Sequence, residues 1–323
     1  MNERELIKKT GAYKIIENDK NKDTLSHAYL IVCQDEIYLR TYLKYFASLI
    51  LSEKEGDRTD KLILAEKYTD CSIYPEDNKN IVVAVVTEIV EQTMIKPLES
   101  DKRIFILSNC ENMNITSQNK LLKTLEEPPK NVIMLLGTSR EYSMLPTVKS
   151  RVKILEIPLF TQEEILNILK HKFGNREDLN LISTACGGML GRAEKMAEDE
   201  NFILVEQLAF DLILHMSTVK DILEFSERLI SNGKKIKEFL AILKIVFRDV
   251  LMYKCGKNEM IINTAKRTEI INAAACFDTG AILNAIEKIN IAEKDLFYNA
   301  NTNMQIESLL LSIMEGKYKW QKL

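Results

Sequence analysis

The sequence lacks an excess of positive charge, a pair of cysteines at metal-ligand spacing and a long hydrophobic run. Its 44 basic residues are outnumbered by 47 acidic ones, and the net charge of −3 gives no large positive field for nucleic acid. The six cysteines are scattered and predict small, mostly buried side chains in a reducing compartment. No apolar run approaches the roughly 20 residues of a membrane helix. The charged start MNERELIKKT is unlike a signal peptide, so we expect a cytoplasmic protein.

The first half of the chain alternates short apolar runs with helical patterns. At 323 residues the chain is too long for one ordinary domain. Apolar runs predict strands at 28–33, 104–107, 132–136 and 152–157, and helices are predicted at 38–51, 85–94 and 115–126. Strands that are apolar on both faces are typical of a parallel sheet covered by helices. We therefore expect a three-layer α/β domain that binds ligands at the carboxyl ends of its strands.

The strand pattern stops after Pro158. Thr161 and Glu164 have the spacing of a capping box, which predicts a helix from there to about residue 173. Helices are also predicted at 178–186 and 192–199. Long amphipathic segments follow, with Leu, Ile and Phe at three- and four-residue steps. The expected organisation is an α/β domain at 1–160, a three-helix unit at 161–202 and an all-helical domain at 203–323.

The stretch NKLLKTLEEPP, residues 119–129, combines a helix with an abrupt stop. Leu121, Leu122 and Leu125 share one helical face and are expected to pack on the sheet. The two prolines disfavour helical backbone in the residues before them, so the helix has to end there and a buried strand can begin at Val132. The carboxylate pair before the prolines, Glu126 and Glu127, could pair with a neighbouring subunit, but an exposed pair of this kind is more often solvated.

Four segments together carry a resemblance to a known family. They are HAYL (27–30), NKLLKTLEEPP (119–129), the Ser150-Arg151 pair within TVKSRVKI, and GGMLGRA (187–193). In this order and spacing they resemble the AAA+ clamp-loader family of bacterial DNA polymerase III. The resemblance implies an AAA+ three-layer parallel-sheet domain at 1–160, a small lid domain at 161–202 and a helical collar at 203–323 that serves oligomerisation.

The phosphate-binding loop of the family's ATPases is degenerate here. Residues 32–40 contain no glycine, so a close approach of backbone to a phosphate is disfavoured. Asp35 and Glu36 place negative charge where a phosphate would lie. Leu39 stands at about the position of the family's lysine, and Arg40 is interpreted as a solvated arginine.

The magnesium-binding carboxylates are also missing from their expected place. Ser108 and Asn109 stand where ATPases of the family have paired acids, at the end of the predicted strand 104–107. Some members carry a four-cysteine zinc module after the first helix, but residues 51–75 contain only Cys71. The resemblance therefore predicts a subunit that neither hydrolyses ATP nor holds a cofactor or metal.

Arg151, with Ser150, is the predicted functional residue. In the family, a Ser-Arg-Cys motif of a subunit without ATP reaches the γ-phosphate held by its neighbour, and guanidinium suits that role because it is always charged and donates in a planar fork. Here Val152 replaces the cysteine. The alternative is a surface arginine that caps a short helix at 144–150. Arg192 matches the sensor-2 position and is expected to be structural, and Thr138-Ser139 in the sensor-1 region are expected to be idle.

The resemblance also implies partners. They are gamma/tau-type ATPase subunits, a delta-type subunit, and, through the complex, the sliding clamp and primer-template DNA. Basic clusters that could contact DNA are Lys8-Lys9, the trio Lys234, Lys235 and Lys237, and the tail Lys317–Lys322, although solubility is their default role. Two alternatives remain: an active gamma/tau-type ATPase and a delta-like module that binds the clamp.

Overall fold

The computed structural model describes residues 2–75, 81–199, 202–231, 236–297 and 301–319. The chain divides into two compact units. The first comprises the residues up to Phe160 together with Met189–Arg192, and the second comprises Thr161–Gly188 and the residues from Ala193 onward. The further division of the helical part at residue 202 stays a prediction. Within the described ranges, no helix is both long and apolar enough to cross a membrane.

The first unit is built on a five-stranded parallel sheet with the order β2-β3-β4-β1-β5. Its strands are β1 (Ala28–Val32), β2 (Cys71–Tyr74), β3 (Arg103–Leu107), β4 (Val132–Thr138) and β5 (Lys153–Glu156). Its helices are α1 (Glu3–Lys8), α2 (Gly11–Asn21), α3 (Glu36–Leu51), α4 (Arg58–Leu64), α5 (Val83–Gln92), α6 (Ile115–Glu126) and α7 (Pro146–Lys149). The predicted α/β architecture is confirmed, and the edge strand β2 is an addition to it.

Successive residues of the central strands are buried on opposite faces of the sheet, because side chains alternate along a strand. On one face, Leu30 and Met134 pack with Val86 of α5 and Leu121 of α6. The opposite face carries α3, which approaches β4 closely at Gly137. A Cβ atom placed there would lie 2.6 Å from Leu43 Cδ1. Helices on both faces produce the three predicted layers.

The described part of the second unit contains helices without strands. They are α8 (Gln162–Phe173), α9 (Leu179–Ala185), α10 (Leu190–Glu198, which begins in the first unit), α11 (Phe202–His215), α12 (Val219–Ser231), α13 (Ile236–Lys254), α14 (Arg267–Cys276), α15 (Thr279–Phe297) and α16 (Thr302–Lys319). The predicted capping box is confirmed: Glu164 N–H donates to Thr161 Oγ1 at 3.3 Å, and Thr161 N–H donates to Glu164 Oε2 at 2.9 Å. α13 is the central helix, with eleven buried residues.

Candidate functional site

The loop between β1 and α3 ends at Asp35, whose side chain caps α3. Asp35 Oδ1 accepts a hydrogen bond from the backbone N–H of Tyr38 at 3.4 Å, and Oδ2 accepts one from the backbone N–H of Gly191 at 2.7 Å. Asp35 is only 5% exposed. The amides at the start of a helix commonly bind phosphate or other anions. Here a carboxylate of the chain itself bonds to such an amide.

Gly191, the second residue of α10, packs directly on the start of α3. A Cβ atom at Gly191 would lie 2.7 Å from both Ile37 Cβ and Tyr38 Cδ2, and 2.8 Å from Asp35 Oδ1. Contacts below 3 Å are not tolerated by well-packed side chains, so only glycine fits here without a shift. Arg192, at the sensor-2 position, follows directly and is partly buried.

The position of the family's phosphate-binding lysine is apolar and buried. Leu39 is 0% exposed, and its Cδ1 atom would lie 3.1 Å from a Cβ atom placed at Gly137 of β4. The side chain at this position therefore points into the interface between α3 and the sheet. A lysine in the same direction would bury an unpaired ammonium group.

Arg40 is not the solvated arginine that the sequence analysis predicts. Its Nε donates to Glu66 Oε1 at 2.9 Å, its Nη2 donates to Glu66 Oε2 at 2.5 Å, and its Nη1 donates to the carbonyl of Pro75 at 2.7 Å. These hydrogen bonds lower the pKa of Glu66 to about 2. The guanidinium therefore ties α3 to the segments that follow α4 and β2, and every one of its nitrogens has an acceptor.

The carboxyl end of β3 carries two uncharged residues, Ser108 and Asn109, where ATPases of the family have paired acids. Ser108 is 1% exposed and its hydroxyl donates to the carbonyl of Tyr74 at 3.1 Å. Asn109 has left-handed backbone, with φ 58°, a conformation that asparagine tolerates better than most residues. Neither side chain supplies a carboxylate.

Glu111 lies beyond that turn and bonds to the sensor-1 segment. Its Oε2 accepts from the backbone N–H of Ser139 at 3.2 Å. The Ser139 hydroxyl lies 2.9 Å from Glu111 Oε1 and 3.1 Å from Glu36 Oε1. Ser139 thus joins two acidic side chains at the carboxyl edge of the sheet, and its lack of a role toward nucleotide stays a prediction. Glu36, Glu111 and Ser139 lie far apart in the sequence, and no motif or spacing predicts that their side chains meet.

Arg151 lies just after α7, and its guanidinium contacts other residues of this chain. Its Nη1 donates to the carbonyl of Thr147 at 2.8 Å and to the Ser150 hydroxyl at 3.1 Å. Its Nη2 forms an ion pair with Glu126 Oε1 at 2.6 Å. The Arg151 side chain keeps 33% of its exposure, so it lies at the surface. The contact with Thr147 agrees with the alternative interpretation of Arg151, a surface arginine that caps the end of a short helix.

The carboxylate pair at the end of α6 divides between two environments. Glu126 pairs with Arg151, so the expectation that it is only solvated is wrong. Glu127 is exposed, as expected. Val152, in place of the family's cysteine, packs against the core under α6.

Two described lysines of the basic clusters contact groups within the chain. Lys8 pairs with Glu55. Lys317 is 7% exposed, and its Nζ donates to the carbonyls of Ile213 and Leu214 at 3.1 Å and of Met216 at 3.2 Å. Burial lowers the pKa of Lys317. The expectation that Lys317 belongs to a solvent-facing tail is therefore wrong. Lys234, Lys235 and Lys322 lie outside the described residues.

Within the segment 51–75, Asp60 forms a buried ion pair with Arg4 of α1. Arg4 Nη1 donates to Asp60 Oδ2 at 2.8 Å, with side chains 9% and 3% exposed. Asp60 also accepts from the backbone N–H of Gly56 at 2.7 Å. Burial alone would raise the pKa of Asp60, but the bonds from Arg4, Ser48 and Gly56 lower it overall. Cys71, at the start of β2, is buried, and desolvation raises its thiol pKa to about 12.

Comparisons with protein families agree with the order of these elements. A family described as "DNA polymerase III, delta subunit" matches residues 8–161, and one described as "DNA polymerase III, delta subunit, C terminal" matches residues 205–315. The two matches together span most of the chain.

Individual relatives are distant. The delta-prime subunit of DNA polymerase III from Bacillus subtilis is 24% identical, over 94% of this chain and 95% of that protein. The tau subunit from the same organism is 22% identical over 95% of this chain and 60% of its own length. A delta-prime subunit from Haemophilus influenzae is 26% identical over 53% of this chain and 55% of its own.

Among solved structures, a gamma-subunit-related protein of DNA polymerase III from Thermotoga maritima covers 94% of this chain and 99% of its own length. Its sequence identity is 17% and its TM-score is 0.48. The two family matches and the delta-prime relative, which covers both chains almost completely, lead to one assignment. The chain belongs to the DNA polymerase III delta-subunit family of clamp-loader proteins, with delta-prime subunits among its relatives.

Proposed function

We propose that the chain is a delta-prime-type subunit of a DNA polymerase III clamp loader that does not hydrolyse ATP and lends Arg151 to its neighbour. In this role it assembles with gamma/tau-type and delta-type subunits in the cytoplasm. The complex opens the sliding clamp and places it on primed DNA. This chain itself contacts the DNA weakly or only through the complex.

The observation that carries the proposal is the Asp35 carboxylate at the start of α3. It accepts hydrogen bonds from the backbone amides of Tyr38 and Gly191 and is 5% exposed. A phosphate at the same place would have to displace a charged group that is covalently attached. It would also be repelled by that group's charge.

Two further features support the proposal that this chain does not hydrolyse ATP. Leu39 occupies the lysine position and is fully buried, so no ammonium group would neutralise a bound phosphate. The Ser139 hydroxyl lies within hydrogen-bond distance of both Glu111 and Glu36, so these acids are engaged within the protein. An active gamma/tau-type ATPase would need a free glycine loop and a lysine here.

The role of Arg151 is supported by its chemistry and exposure. A guanidinium matches phosphate oxygens with two parallel N–H donors. The Arg151 side chain is partly exposed just after α7, whereas Arg40 is fixed by three acceptors. Arg151 is therefore the better candidate of the two for donation to a group outside the chain.

Two measurements test the proposal. Titration of the isolated chain with ATP should give no saturable binding at cellular concentrations, and clear binding would favour the active ATPase. In a reconstituted clamp loader, Arg151→Ala should leave assembly intact and lower clamp- and DNA-stimulated turnover at the neighbouring site at least about tenfold, since arginine fingers are worth roughly 10³–10⁵ in GTPases. The control is Arg58→Ala, which removes an arginine whose side chain is 73% exposed. Unchanged turnover in Arg151→Ala would leave only a scaffold role.

One observation favours a second candidate, a delta-like module that binds the clamp. In the turn between α5 and β3, Met94 is 70% exposed, Ile95 is 54% exposed and Leu98 is 75% exposed. Asp70 anchors this turn by accepting from the backbone N–H groups of Leu98 and Glu99 at 2.8 and 2.7 Å. Tight binding of the isolated chain to the sliding clamp, abolished by Leu98→Ser, would support this candidate.

A further inference from the structure

We propose that Glu126 is a positioning residue that competes with a neighbouring subunit's phosphate for Arg151. The inference rests on the proposed function, because it concerns the same arginine. Glu126 then makes the donation of Arg151 conditional: the guanidinium stays on its own subunit until an anion of higher charge than a carboxylate comes within reach.

The geometry of the guanidinium carries the first step. Arg151 Nη1 already donates to Thr147 and Ser150, and Nη2 faces Glu126 Oε1 at 2.6 Å. A guanidinium has two planar forks, one through Nη1 and Nη2 and one through Nε and Nη2. Both forks include Nη2. Nη2 contributes one N–H to each fork, so the Glu126 carboxylate that faces it competes for that nitrogen, and its negative charge opposes a phosphate on either fork.

The place of Glu126 on its helix carries the second step. Glu126 is the last residue of α6. A carboxylate at the carboxyl end of a helix is unfavourable for the helix dipole, and a cation is preferred there. The stability of α6 therefore does not account for this acid. Its partner Arg151 lies just after α7 and supplies the compensating positive charge.

A comparison within the same unit carries the third step. Glu66 holds Arg40 by two hydrogen bonds, through Nε and Nη2. Glu126 faces Arg151 through a single nitrogen, and the two side chains are 48% and 33% exposed. Exposed ion pairs of this kind change an equilibrium by no more than about fivefold. The contact is thus strong enough to favour the position of Arg151 at Glu126 and weak enough for a phosphate to displace it.

The test uses the reconstituted complex of this chain with gamma/tau-type and delta-type subunits, without clamp or DNA. Glu126→Gln keeps the size of the side chain and removes its charge. The expected result is a rise of about two- to fivefold in the kcat of unstimulated ATP turnover, with the KM for ATP unchanged. Glu127→Gln is the matched control, because it makes the same charge change at the adjacent exposed position and should have no effect.

A double variant decides whether the effect passes through Arg151. In the Arg151→Ala background, Glu126→Gln should cause no further change, since the two residues then no longer interact. Turnover of Glu126→Gln at or below that of the unmodified complex would overturn the inference. An equal rise in both backgrounds would do the same. If Arg151→Ala alone has no effect, the proposed function itself fails, which separates the two failures.

Discussion

Asp35 Oδ2 lies 2.7 Å from the backbone nitrogen of Gly191, a residue 156 positions away in the chain. The same carboxylate caps α3 through Tyr38. One side chain thus satisfies the start of two helices, and each helix start would otherwise leave N–H groups unpaired. The contact also explains why Gly191 has to come so close, because a side chain there would collide with Asp35 and Ile37.

Substitution of Asp35 is expected to destabilise the first unit. Asp35→Ala removes the cap of α3 and the bond to Gly191, and we expect a loss of about 2 kcal/mol in the free energy of unfolding. Urea unfolding monitored by circular dichroism measures this. Asp278→Ala is the control, because among the described residues the Asp278 side chain caps α15 through Ala281 alone, and its loss should cost about 1 kcal/mol. Equal losses would mean that the bond to Gly191 contributes nothing.

Two glycines within helices should respond oppositely to alanine. Glycine in a helix interior normally costs about 1 kcal/mol relative to alanine. At Gly191 the added Cβ atom would meet Ile37 Cβ at 2.7 Å, so Gly191→Ala should destabilise by about 1–3 kcal/mol. At Gly316 in α16 the nearest atom is Ala281 Cβ at 3.6 Å, so Gly316→Ala should stabilise by up to about 1 kcal/mol. Stabilisation by both substitutions, measured by denaturant unfolding, would contradict the close contact at α3.

The buried pair of Arg4 and Asp60 should be costly to break. Arg4→Met leaves the Asp60 carboxylate without its cation in a site where it is 3% exposed. Removal of one member of a buried ion pair costs about 3–5 kcal/mol. Arg58→Met, which removes a largely exposed partner of Glu99, should cost at most about 1 kcal/mol. Urea midpoints that shift equally for the two variants would show that Arg4 does not anchor α4.

The pair of Arg40 and Glu66 should make stability depend on pH. The hydrogen bonds from Arg40 lower the pKa of Glu66 from 4.5 to about 2, so folding favours the ionised carboxyl. The stabilisation is complete above the ordinary pKa and is lost as the pH falls from 4.5 towards 2. Glu66→Gln should therefore lower the free energy of unfolding at neutral pH and do so less and less as the pH falls. A constant difference between pH 7 and about pH 3, or an equal effect of Glu127→Gln, would contradict this assignment.

The central part of the fold follows closely from its sequence pattern. The apolar runs of β1, β3 and β4 predict buried parallel strands because both of their faces meet helices. β5 is predicted as well, but it lies at the edge of the sheet, with Leu155 buried and Ile154 40% exposed. The prediction of α6 matches in both bounds, since Asn114 caps its start and the prolines end it. Strand β2 has four residues at the edge of the sheet, too few for a periodic signal to separate it from a loop.

The candidate site was only partly predictable. The missing glycines and the apolar Leu39 are local features that can be seen in one stretch of sequence. The contacts of Asp35 with Gly191, of Arg151 with Glu126 and of Ser139 with Glu111 join residues from distant segments. No periodicity encodes such pairs. The order of strands, which places the carboxyl ends of β3 and β4 side by side, accounts for the contact of Ser139 with Glu111. The other two contacts depend on how helix ends pack, which the strand order does not give.

The cysteines of the chain differ sharply in how well a reagent can reach them. Cys33, Cys71, Cys110 and Cys186 are buried, Cys276 is intermediate and Cys255 is exposed just after α13. Burial also raises the pKa of Cys33 and Cys110 to about 12, which suppresses their thiolate form at neutral pH. A maleimide dye added to the unmodified protein would therefore attach first at Cys255. That single label would supply a fluorescent reporter of subunit assembly without any engineered substitution.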